Sequence, residues 1–158
     1  MNKPTTVKSR SSETTIKTFY LLILFLATLS GFAQMPIFKR YYIADIPMLG
    51  WLADFYITHL LHYLSAVAIL ALMGYRALDY LMVTRKNRKI TPSGIFRVIV
   101  LCGIVVTGLF LVVYNFAGVY FTSKFVIFLD LAHLGLVMLF LFYSLYCLIF
   151  RKKWTTSS

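Results

Sequence analysis

Long apolar stretches and short polar ones alternate along the chain. Apolar positions fill about Thr18 to Met35, Leu52 to Val83, Gly94 to Tyr114 and Phe125 to Phe150. A hydrocarbon core about 30 Å thick needs roughly 20 apolar residues in helical form. Lipid offers no partner to an unpaired backbone group, so these runs predict helices. The expected fold is all-α, an integral membrane four-helix bundle. The second run exceeds what a bilayer needs, which places its end, with Arg76 and Asp79, in the interface. Residues 1–16, rich in Ser, Thr and Lys, read as a disordered cytoplasmic tail. Residues 17–151 read as the transmembrane domain and 152–158 as a second cytoplasmic tail.

Composition sharpens this. Hydrophobic residues make up 60% of the chain and charged ones 13%, with a mean hydropathy of +0.80, far from the soluble average. Little chain remains for a soluble domain, so any substrate site belongs in the membrane or on a partner. The net charge of +11 would suit nucleic acid if the bases shared one surface. Instead they cluster between apolar runs, and no nucleic-acid partner is expected. Lys3, Lys8, Arg10, Lys17, Arg85, Lys86, Arg88, Lys89, Arg97, Arg151, Lys152 and Lys153 fall on one side, against Lys39, Arg40 and Lys124 on the other. That bias puts both termini in the cytoplasm. Tyr41, Tyr42, Trp51, Tyr120 and Trp154 stand where interfacial aromatic belts are expected.

The basic start, apolar centre and "GFA" ending at Ala33 also fit a secretory signal peptide. The charge bias of the other three runs favours retention of the first helix. Cys102 and Cys147 lie inside apolar runs without CxxC spacing and read as packing thiols. No Ser-His-Asp or HExxH pattern points to a hydrolase.

Candidate chemistry rests on three histidines. "FYITHLLHYLSA" holds His59 and His62 one helical turn apart, and "FVIFLDLAHLGLVMLFLFY" holds His133. At 1.5 Å per residue, His62 lies roughly 16 Å beyond Trp51 and His133 roughly 14 Å beyond Lys124. The two are therefore expected at a shared depth, near the midplane. Small residues accompany them: Ser65 and Ala66 after His62, Ala132 and Gly135 around His133. The other two runs carry Ser30-Gly31 and Thr107-Gly108. The chain thus reads as two similar halves, each a helix with Ser/Thr-Gly followed by a helix with His. Missing side chains make room for a flat macrocycle, and imidazoles from two helices supply axial bonds to its iron. The plainer alternative is that Ser/Thr-Gly pairs permit close helix packing and a lone intramembrane His is a hydrogen-bonding residue. Asp130, one turn before His133, reads as interfacial.

"HLLHYLSAVAILALMGYRALDY" resembles the second helix of the cytochrome b subunits of membrane-bound formate dehydrogenases and nickel–iron hydrogenases. "LSG" in the first run and "TG" in the third are similar to that family too. The resemblance spans about Ile16 to Arg151. It implies a multi-pass subunit of the bacterial inner membrane that relays electrons between an iron–sulfur or catalytic subunit and the quinone pool. Menaquinone or ubiquinone would be its partner within the membrane lipid. Carried over residue by residue, His62 matches the second-helix haem ligand and His133 the first of two in the fourth. The family's first-helix His would fall near Lys17 and its last near Cys147, so one of the usual two b haems is missing. The expectation is one haem b with His62 and His133 as axial ligands, Gly31 and Gly108 giving it room. His59 is an alternative ligand, a propionate partner or a quinone contact. The second expectation, from a different class, is a haem-free membrane anchor or assembly subunit.

Overall fold

The computed structural model describes residues 6–35 and 45–157. Lys39, Arg40, Tyr41 and Tyr42, expected at the outer interface, lie outside the described residues. Four long helices dominate: α1 (Thr6–Ala33), α2 (Phe55–Met82), α3 (Pro92–Tyr114) and α4 (Ser123–Ile149). Each holds a stretch long and apolar enough to cross a membrane. The last three begin and end within three residues of the limits set by hydropathy. α1 departs from expectation, because it begins at Thr6 inside the segment read as a disordered tail. No Pro or Gly stands between Pro4 and Gly31, so nothing in the backbone chemistry stops the helix from extending past its apolar part.

The chain divides into two compact units, Met1–Met82 and Val83–Ser158. The first is a helical hairpin in which α1 and α2 run antiparallel, Gln34 meeting His59 while Ala27 meets His62. Its surface is inverted relative to a soluble protein. Large apolar side chains such as Phe25, Leu60, Leu64 and Val67 are exposed, while Ser30 and Thr58 are fully buried. Apolar groups facing outward along a whole helix suit lipid rather than water.

A 3₁₀ turn (Gly50–Ala53) leads into α2, and Asp54 caps it. The Asp54 carboxylate accepts from the backbone N–H groups of Tyr56 at 2.9 Å and Ile57 at 3.1 Å. It thereby satisfies two of the first-turn donors and complements the positive end of the helix dipole. Asp54→Ala is expected to lower the stability of this hairpin by about 1 kcal/mol. Asp54→Asn should recover most of that in a thermal melt of the purified protein.

In the second unit α3 and α4 also run antiparallel, with Phe96 against Tyr143 and Tyr114 against Phe121. The helices approach closely at Gly103, where an added Cβ would stand 3.0 Å from Leu136 Cδ1. The C-terminal segment, read as a tail, folds back onto its own unit. α4 ends with Lys152 N–H donating to Cys147 O at 2.8 Å and Arg151 N–H to Leu148 O at 3.2 Å. Arg151 takes φ 51, so this is a Schellman turn in which an arginine occupies the left-handed position usually held by glycine. The reversed chain then forms β2 (Thr155–Ser157), antiparallel to β1 (Arg88–Ile90), with Ile90 opposite Thr155. Thr91 caps α3 through its side chain, accepting from Gly94 N at 3.1 Å, and donates to Lys153 O at 2.7 Å. Beneath the returning chain Arg97 is buried, donating to Lys152 O at 3.0 Å with its guanidinium 4.5 Å from the Trp154 ring.

Candidate ligand histidines

Each hairpin seats one imidazole beside a Ser/Thr-Gly pair, with a different acceptor for its Nδ1. In the first unit, His62 Nδ1 lies 2.9 Å from the backbone oxygen of Ala27. A carbonyl only accepts, so the proton sits on Nδ1 and donates. The Ser30 hydroxyl lies 3.4 Å from the same nitrogen and has given its own hydrogen to Leu26 O at 2.6 Å. Gly31 completes the seat: a Cβ there would stand 3.1 Å from His62 Cε1 and 3.3 Å from Nδ1. In the second unit, His133 Nδ1 lies 3.0 Å from Thr107 Oγ1. That hydroxyl donates to Gly103 O at 2.8 Å, which leaves it as the acceptor for the imidazole N–H. A Cβ on Gly108 would stand 3.2 Å from His133 Cε1.

These contacts fix the chemistry of both rings. A neutral imidazole that donates from Nδ1 carries its lone pair on Nε2, the form in which histidine binds a metal. The hydrogen bond from Nδ1 to a carbonyl or hydroxyl holds the tautomer and the ring orientation. The Ser/Thr-Gly pairs therefore do more than admit a neighbouring helix. In the first hairpin the Ala27 carbonyl orients the ring and in the second the Thr107 hydroxyl does, while in both the glycine leaves room for it. The space beside Gly31 and Gly108 is thus occupied by imidazole, where the sequence had assigned it to a macrocycle. Gly135 plays no such part, since nothing lies within 4 Å of a Cβ added there.

His59 is held differently. Its Nδ1 lies 3.1 Å from Gln34 Oε1, and Gln34 Nε2 donates to Ser30 O at 3.3 Å, which orients the amide. The ring stacks on Phe55 at 5.0 Å and tilts against Tyr63 at 4.2 Å. It has neither the hydroxyl nor the glycine that His62 shares with His133. The repeat singles out His62. Asp130 is exposed, and both cysteines are free, Cys147 buried and Cys102 exposed.

Among the described residues no group of three or more His, Cys, Asp or Glu gathers as a metal site. A bare ion held by protein donors alone needs three or four ligands. A macrocycle brings four equatorial nitrogens of its own and asks the protein for axial ones only. Sequence reasoning found the histidines, glycines and hydroxyls, but missed the Ala27 carbonyl, Gln34 and the buried Arg97. Of these only Gln34 left a readable signal, as a polar residue one position past the first apolar helix. Comparison with protein-family models, curated proteins and solved structures returns no match for this chain.

Proposed function

We propose that the chain is a membrane cytochrome b subunit, in which His62 and His133 each give one Nε2 to a single b-type haem. The observation that carries this reading is the repeated seat: hydroxyl, glycine and an imidazole donating from Nδ1, once in each hairpin. A haem supplies reversible one-electron chemistry when bound. The chain's own residues supply the rest. Ala27 O and Thr107 Oγ1 hold the two rings as neutral ligands. Gly31 and Gly108 leave room for them against the facing helix. Were His62 and His133 both to hold the haem, the chemistry it would supply is electron relay rather than oxygen chemistry.

The resemblance to the cytochrome b subunits of formate dehydrogenases and nickel–iron hydrogenases extends this reading to partners. We place the subunit in the bacterial inner membrane with both termini cytoplasmic, between an iron–sulfur or catalytic subunit and the quinone pool. The test is the pyridine haemochrome of purified protein. One haem b per chain is the expected result, and colourless protein expressed with ample haem would replace this reading with that of a haem-free anchor.

The second-half hydroxyl gives a finer prediction. Thr107→Val keeps the shape and removes the oxygen that accepts from His133. Haem affinity should fall about 10- to 100-fold, as for other partners behind a metal ligand, and Thr107→Ser should retain it. A titration of stripped protein with haemin reads the difference.

A further inference from the structure

The basic end of the second unit carries bases from Arg85 to Lys89, at Arg97 and from Arg151 to Lys153. The only acidic residue in that unit is Asp130, early in the helix whose far end bears the bases. Positive charge concentrated in this way, at the ends of two helices apolar enough to cross a membrane, attracts anionic headgroups. Arg97 adds to this charge. It is 5% exposed, its Nε has no hydrogen-bond partner among the described residues, and its guanidinium meets the Lys152 carbonyl and the Trp154 ring. A buried cation without a carboxylate raises the positive potential around it.

Beside it the fold leaves a cavity of about 390 Å³ lined by Thr91, Ser93, Tyr143, Tyr146, Lys152 and Lys153. The Schellman turn at Arg151 and the hydrogen bonds from Thr91 and Ser93 to Lys153 O fix its wall. Lys152, Lys153, Tyr143 and Tyr146 line it together with the start of α3, residue types suited to an anionic oxygen cluster. Tyrosines in the final turns of a membrane helix belong at headgroup level, and basic pockets at that level take anionic lipid headgroups. We infer that this cavity is a binding site for the phosphate headgroup of an anionic membrane lipid. The inference is independent of the haem.

Native mass spectrometry of the full chain, released from micelles doped with phosphatidylglycerol or phosphatidylcholine, tests it. One phosphatidylglycerol should stay bound per chain, while phosphatidylcholine is lost. Lys152→Gln combined with Lys153→Gln should lower retention at least about tenfold. Arg85→Gln combined with Lys89→Gln removes the same charge from exposed positions outside the cavity and should leave retention unchanged. Equal loss in both double variants would mean diffuse attraction and overturn the site. So would equal retention of the two lipids by the unaltered chain, a comparison that needs no variant to fold. Displacement of phosphatidylglycerol by millimolar inorganic phosphate would overturn the lipid assignment in favour of a soluble anion.

Discussion

Purified His133→Ala protein is expected to lose the reduced b-type absorption spectrum, and His62→Ala should lose it equally. On the proposed reading both Nε2 atoms would bind the iron, so removing either ring would take away one of two protein bonds to it. Because loss of a partner behind a ligand already lowers metal affinity by about 10- to 100-fold, loss of the ligand itself should exceed about 100-fold. His59→Ala is the informative contrast. Its ring is tied to Gln34 and packed between Phe55 and Tyr63, outside the repeated seat, so haem content should stay near that of the unaltered protein. Loss with His59→Ala and retention with His62→Ala would move the ligand one turn along α2.

The second large effect concerns two glycines. A Cβ at Gly31 or Gly108 would come within 3.1 or 3.2 Å of the facing Cε1, so alanine requires the ring to yield by a few tenths of an ångström. A branched side chain cannot be accommodated in that way. Gly31→Leu and Gly108→Leu should displace the imidazole, costing about 1–3 kcal/mol through overpacking and abolishing haem binding. Gly74 and Gly135 are the controls. Nothing lies within 4 Å of a Cβ at either, and alanine there should be neutral or stabilise the helix by up to about 1 kcal/mol. Thermal melts and haem content measured on the same preparations separate a displaced ring from a misfolded chain.

The helices were legible because their cause is local. A run of apolar residues in lipid must satisfy its backbone internally, and α2, α3 and α4 begin and end close to where hydropathy places them. The histidines and Ser/Thr-Gly pairs were legible as a repeated pattern for the same reason. Their mutual roles were not, because they depend on register. That Ser30 and Gly31 stand opposite His62, and Thr107 and Gly108 opposite His133, follows from how each hairpin closes, which spacing along one strand of text does not specify. Asp54 lay within reach of sequence reasoning, since an Asp directly before a helical run is a capping signal. The folded C-terminus lay beyond it. A Schellman turn is recognised by its glycine, and here Arg151 stands in that place, so its basic neighbours read as a solvated tail. Arg97 was counted among the cytoplasmic bases for the same reason, although it is buried beneath Trp154.

Pulsed electron paramagnetic resonance of the oxidised protein, carrying isotope-labelled histidine, addresses the axial pair most directly. Low-spin ferric iron strongly coupled to two labelled imidazole nitrogens is the expected result, with one coupling lost in His62→Ala and one in His133→Ala wherever residual haem remains. Iron coupled to a single histidine nitrogen, or to none, would contradict ligation by the two seated rings.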